Sequence, residues 1–167
     1  MKGFREILPN ELENSIKLIG GDWMLITAAN GGKVNTMTAS WGCLGVLWNK
    51  SVCVAFVRPQ RYTYEFVEKA DVLSFSFFDE QYREALRFCG TNSGRDCDKF
   101  IKTGLTYEFD GDTPVINQAR VILECRKLYA DDLKKDNFII PELLSNYKND
   151  DFHRFYVCEI ERVLVKE

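Results

Sequence analysis

Three short segments concentrate the chemistry of this chain: Asn35-Thr-Met-Thr-Ala-Ser-Trp41, Arg58-Pro-Gln-Arg-Tyr-Thr63 and Thr91-Asn-Ser-Gly-Arg-Asp-Cys-Asp-Lys99. Hydroxyl, guanidinium and ammonium groups are the usual side-chain holders of phosphate oxygens, arginine through its bidentate fork. A glycine beside them lets backbone approach a ligand closely. Side chains alternate along an extended strand, so Thr36, Thr38 and Ser40 share one face while Met37, Ala39 and Trp41 occupy the other. At about 3.3 Å per residue the outer two hydroxyls stand roughly 13 Å apart, comparable with a mononucleotide laid along the strand. The solvent face of an antiparallel sheet has the same pattern.

Arg58 and Arg61 flank the turn at Pro59, and Thr63 is a candidate N-cap for a helix running through Val67. A cation at a helix start opposes the helix dipole by up to about 1 kcal/mol, so Arg61 there calls for a carboxylate or a bound anion. Arginines exposed to solvent are the plainer alternative. Ser93-Gly94-Arg95 offers a hydroxyl, a residue free to adopt positive φ, and a cation. The run from Asp96 to Thr103 reads as a short helix closed by Gly104. On it Arg95 and Lys99 would share a face, toward a common anion or paired with Asp96 and Asp98. The chain has neither Gly-x-Gly-x-x-Gly nor a Walker pattern, which closes the Rossmann and P-loop readings. His153 is the sole histidine, which leaves little room for a Ser-His-Asp triad or a multi-histidine metal site. It stands at the head of the last strand, either as a proton donor near a ligand or as a polar strand cap.

The elements that must position these residues are mostly strands. Trp23 to Ala29 is β-rich and runs into Asn30-Gly-Gly32, a hairpin signal leading to a second strand from Val34. Ser51 to Val57 is a strand halted by Pro59, and Glu65 to Lys69 a short helix. Asp71 to Phe77 alternates Val72, Ser74 and Ser76 against Leu73, Phe75 and Phe77. Glu80 to Phe88 has helical character and Gly90 to Gly94 is a loop. Gln118 to Tyr129 and Arg154 to Val165 read as long, bent strands. The stretch between them, Asp131 to Asp151, is irregular, with a helical turn at Pro141 to Leu144. So many strands with so few helices suggest closure into a barrel, which removes sheet edges.

Composition sets the outer bounds. A chain of 167 residues, 46% hydrophobic and 28% charged, fits one globular domain over residues 1–167. A net charge of −3, from 22 basic and 25 acidic residues, argues against a nucleic-acid partner. No apolar run approaches a membrane span, and Met1-Lys-Gly-Phe-Arg-Glu lacks the features of a secretory signal, so a cytoplasmic location is expected. The six cysteines form no Cys-x-x-Cys pair. Four lie in apolar or mixed runs, as buried small hydrophobes do, and a disulfide framework or zinc site is disfavoured.

Taken in order, the three segments and the terminal His153-Arg-Phe-Tyr-Val-Cys-Glu-Ile160 resemble the flavin reductase-like family, in particular its flavoredoxin-type members. The resemblance implies a mainly β fold with few short helices, an FMN-binding split β-barrel of antiparallel, Greek-key-like strands. It implies a homodimer with each FMN near the subunit interface, and hydride transfer from a reduced nicotinamide, NADH or NADPH. By position, Thr36, Thr38, Ser40 and Trp41 would meet the flavin ring and ribityl chain, and Arg58, Arg61 and Thr63 the phosphate. Ser93, Arg95 and Lys99 would add contacts from the glycine loop, and His153 would sit on the substrate side as the catalytic residue. Related reductases carry Gly-Asp-His before the last strand, where this chain has Asp151-Phe152-His153, and Cys158 stands where glycine is usual. The function implied is an FMN-dependent oxidoreductase fed by a nicotinamide or by an electron-transfer protein partner. A flavin carrier or sensor without turnover is the alternative, and a small barrel holding an unrelated apolar ligand is a third reading.

Overall fold

A computed structural model of the protein describes residues 1–12 and 14–167. Its strands are β1 (Phe4–Ile7), β2 (Met24–Asn30), β3 (Lys33–Ala39), β4 (Gly42–Leu47), β5 (Lys50–Val57), β6 (Val72–Phe77), β7 (Tyr107–Asp110), β8 (Thr113–Ile116), β9 (Val121–Asp132) and β10 (Arg154–Lys166). Its α-helices are α1 (Tyr62–Lys69), α2 (Arg83–Thr91) and α3 (Lys99–Thr103). One antiparallel sheet runs β3-β2-β6-β9-β10-β5-β4, with β1 added on β10, and β7-β8 is a separate hairpin. The expectation of a mainly antiparallel β fold with short helices holds.

Local sequence explains much of this. Gly31 (φ 57°) and Gly32 (φ 75°) both adopt positive φ, the geometry of the two-residue turn that matches strand twist, and the β2–β3 hairpin forms where expected. The β4–β5 hairpin turns in the same way on Trp48 (φ 54°) and Asn49 (φ 57°). No glycine marks that turn, and β4 has no counterpart among the sequence expectations. β9 and β10 are long strands whose pairing shifts register at Val157/Cys158 and at Ile160/Arg162, and such bulges bend a strand as anticipated.

The helices correct boundaries at α1, at α2 and at α3, which starts at Lys99 rather than Asp96. α1 starts at Tyr62 with Arg61 in the N-cap position and no side-chain cap. Thr63 therefore lies inside the first turn, and its hydroxyl accepts from Asn35 Nδ2 at 2.9 Å instead. α3 is capped by Asp98, whose carboxylate accepts from the amides of Phe100 and Ile101, and it closes on Gly104 at φ 72°. α2 extends through Gly90 and Thr91, which were expected in the loop.

β6 is the central divider. Leu73, Phe75 and Phe77 pack into the main core with Met24, Ile26, Leu123 and Tyr156. Leu25, Phe78, Leu86, Phe100, Val115 and Ile122 form a second core beneath α2, α3 and β8. Ser74 and Ser76 are also fully buried, so the alternation seen in the sequence separates two buried faces rather than core from solvent. Glu124 pairs with Ser74 on the same buried face, and its carboxylate shares the Arg162 guanidinium with Asp110.

Candidate functional site

A cavity of about 650 Å³ opens where the end of β3, the turn after β5, the start of α1 and the loop after α2 meet. Thr38, Ser40, Trp41, Arg58, Arg61, Thr63, Ser93, Lys99 and His153 all border it, so the fold gathers residues from β3 to the head of β10. Its two ends differ in chemistry.

At one end stand Lys99 and Arg61. Lys99 is only 5% exposed, and its Nζ donates to the carbonyl oxygens of Thr36 at 2.8 Å and Cys89 at 2.7 Å. Arg61 donates to the carbonyl of Gly90 at 2.8 Å. Neither forms an ion pair among the described residues. Burial pushes the Lys99 ammonium below its ordinary pKa, and the neighbouring Arg61 charge acts in the same direction. An ammonium has three donors and a guanidinium five, so both retain N–H groups for a ligand. Thr63 and Ser93 add hydroxyls whose oxygens already accept, from Asn35 Nδ2 and from the Arg95 amide, which leaves their protons to give. Gly94 makes the approach possible. A Cβ there would fall 2.3 Å from Asn35 Oδ1 and 2.9 Å from the Tyr62 ring, so only glycine lets this loop press onto β3 and α1. A desolvated ammonium at Lys99 next to the exposed Arg61 guanidinium, with no carboxylate on either among the described residues, is a site for an anion, since the buried charge is costly until paired.

At the other end His153 lies with its ring centroid 5.1 Å from Trp41 and 6.4 Å from Phe56. Its Nδ1 is 2.9 Å from the Tyr147 hydroxyl. Burial, assisted by the Arg58 charge, pushes its pKa down to about 4, so the imidazole is neutral near pH 7. Arg58 is engaged here. It pairs with Asp151 at 2.6 Å, donates to the Asn146 carbonyl at 2.9 Å and lies 5.3 Å over the Tyr147 ring. Asp151 also accepts from Gln60 at 2.7 Å, and its bond from Arg58 holds the carboxyl below the usual range.

Two expected residues lie elsewhere. Thr36 is fully buried, and its hydroxyl donates to the Ile26 carbonyl and meets Thr27 Oγ1. Only its backbone carbonyl serves the site, by anchoring Lys99. Arg95 stands outside the cavity lining, paired with Glu65 and 4.8 Å over the Tyr62 ring. It precedes α3, whose first residue is Lys99, so the two do not share a helical face. Thr38 borders the cavity, but its hydroxyl is hydrogen-bonded to the Leu86 carbonyl of α2. The strand's three hydroxyls therefore do not form one open row, because that of Thr36 bonds to β2 and that of Thr38 to α2. Phe56, Asn92 and Tyr62 line the cavity without having been anticipated. Alternation along β5 puts Phe56 opposite Val57 and could have exposed it. Tyr147 lies in an irregular stretch with no such signal.

The fold has solved counterparts. It superposes with a TM-score of 0.67 on a flavoredoxin from Methanosarcina acetivorans, at 23% identity over 87% of this chain and 69% of that one. An FMN-binding domain of a flavin reductase-like enzyme from Shewanella baltica gives a TM-score of 0.72 at 16% identity, over 98% and 77% of the two chains. A proposed flavin reductase with a split barrel domain from Shewanella frigidimarina gives 0.69 at 18% identity, over 95% and 77%. At these identities the likeness is one of fold. Comparison with curated proteins gives no match. The sequence itself matches the flavin reductase like domain over residues 17–167. With that match spanning most of the chain and the fold superposing on these structures, the chain belongs to the flavin reductase-like family and its barrel is of the split type.

Proposed function

We propose that this protein binds FMN in the cavity between Lys99 and His153 and works as an oxidoreductase, taking electrons from NADH, NADPH or a protein donor. The observation that carries the reading is the buried ammonium of Lys99 beside the solvent-exposed guanidinium of Arg61, two cations that no carboxylate neutralises among the described residues. A phosphate monoester supplies the missing charge, and a volume of about 650 Å³ lies within the usual range for cofactor sites.

Lys99 and Arg61 hold the phosphate, with the Thr63 and Ser93 hydroxyls as further donors. Trp41 and Phe56 give the ring an apolar wall, and Ser40 lies beside the path between the two ends. Arg58 shapes the site by holding Asp151 and the segment that carries Tyr147. The flavin, when bound, supplies the redox chemistry. The neutral His153 offers a hydrogen bond at the substrate side rather than an acidic proton.

A homodimer fits the surface next to the cavity. Trp41 is 47% exposed at the rim, and Val46 and Leu47 of β4 and Trp48 of the following turn are all exposed. A second copy on this edge strand would cover apolar surface and close the open side of the site. No helix among the described residues is long and apolar enough to cross a membrane, and a cytoplasmic location is part of the proposal.

Absorbance of the purified protein and identification of the released cofactor test the binding. A colourless protein that takes up no FMN on titration defeats the proposal. Anaerobic mixing with NADH and with NADPH tests turnover: reduction no faster than that of free FMN leaves a carrier or sensor as the surviving reading.

A further inference from the structure

Tyr147 follows the 3-10 turn Pro141–Asn146 and is 8% exposed. Its ring stacks on Phe152 at 4.8 Å, meets Phe138 edge-on at 5.8 Å and carries the Arg58 guanidinium on its face. Its amide donates to the Leu144 carbonyl. The side chain is thus held on several sides, and its hydroxyl reaches one partner among the described residues, Nδ1 of His153.

A neutral imidazole has one N–H and one bare nitrogen, and which is which follows from the hydrogen bond made. If Nδ1 carried the proton, the Tyr147 oxygen would accept it and the phenol proton would be left without an acceptor in a buried setting. If the phenol donates to a bare Nδ1, both groups are satisfied and the ring proton resides on Nε2. Nε2 has no partner among the described residues, and His153 borders the cavity between Trp41 and Phe56.

We propose that Tyr147 is a positioning residue that locks His153 in the Nε2–H tautomer, so that the cavity is offered a neutral hydrogen-bond donor. Such a donor suits a carbonyl or carboxamide oxygen, or a bare ring nitrogen, of a redox partner lying against the flavin. The ligand class rests on the FMN reading given above, whereas the tautomer does not. The charged groups facing the ring agree with it. Arg58 and Arg61 oppose an imidazolium, as burial does, and Asp151 alone favours one.

Because the chain has one histidine, histidine-only ¹⁵N labelling gives an NMR spectrum that needs no assignment. The expected result near neutral pH is a pyridine-type Nδ1 and a pyrrole-type Nε2, unchanged through the range in which an ordinary histidine titrates. In Tyr147→Phe the two tautomers should mix and the titration midpoint should rise. A pyrrole-type Nδ1 in the unaltered protein overturns the proposal, as does an unchanged spectrum in the variant. Should the variant fail to fold, the unaltered protein's spectrum still decides. With FMN bound, Tyr147→Phe should keep its FMN affinity and slow flavin reduction by NADH about fivefold, the scale of one net hydrogen bond. An equal rate overturns the positioning role. Failure of the unaltered protein to bind FMN would instead defeat the flavin reading and leave the spectrum standing.

Discussion

Arg58 and Arg61 lie three residues apart on one turn and border the same cavity, yet they face opposite electrostatic problems. Arg58 meets Asp151, a backbone carbonyl and the face of Tyr147. Arg61 meets one backbone carbonyl and shares its surroundings with the buried Lys99. One end of the cavity is therefore internally neutral, and the other holds surplus positive charge. The contrast shows that the presence of a cation says little about ligand binding until its counter-charge is located.

The sharpest test of that contrast is Lys99→Met. It should weaken FMN by about 1.5–3 kcal/mol, roughly 10- to 150-fold in Kd, as expected for a lost bond to a charged group. The same change should cost the FMN-free protein little stability, because the desolvation of the buried ammonium offsets its two bonds to the Thr36 and Cys89 carbonyls. Fluorescence titration and a melting curve on one sample give both readings, and lower stability together with unchanged affinity would dissolve the distinction between the ends. Arg58→Ala should do the reverse. Stability should fall, since Asp151 loses its main partner, while FMN affinity moves less than about threefold; urea titrations with and without FMN check this. Arg61→Ala should weaken FMN by about 1.5–2 kcal/mol with little change in stability, and calorimetric titration measures it.

The smallest effects concern pH. His153 is depressed from 6.5 to about 4, so its contribution to stability is complete above pH 6.5 and is lost as pH falls toward 4. Glu124 behaves oppositely. Burial, with the Asp110 charge second, raises its carboxyl from 4.5 to about 7, so its contribution is complete below pH 4.5 and is lost as pH rises to 7. The two slopes oppose each other in the unaltered protein. Glu124→Gln should remove the second slope, so the variant gains stability relative to the unaltered protein between pH 4.5 and 7. Denaturation midpoints at the two ends of that range decide it, and parallel curves would refute the assignment.

Some of this was legible in residue order. The Gly31-Gly32 turn, the strand at Ser51 to Val57, the alternation over Val72 to Phe77 and the closure of α3 at Gly104 all appear where the pattern placed them. Each depends on neighbours within a few residues. β4 escaped because its turn uses Trp48-Asn49 without glycine, and the β7–β8 hairpin because its strands are four residues each and one contains Pro114. Within the site, Thr38, Ser40, Trp41, Arg58, Arg61, Thr63, Ser93, Lys99 and His153 converge on the cavity, while Thr36 and Arg95 do not line it.

By itself, the order of residues determined the hairpin turns, the paired faces of the strands, the helix stop at Gly104 and the solitary histidine. Those properties arise from backbone conformation and side-chain alternation over short stretches. Tertiary structure alone decided which cations are neutralised and which group His153 addresses. Asp151 comes to Arg58 from the far end of the chain, Tyr147 is brought to His153 by an irregular segment, and the desolvation that makes an unpaired Lys99 costly exists only after the cores have closed around it.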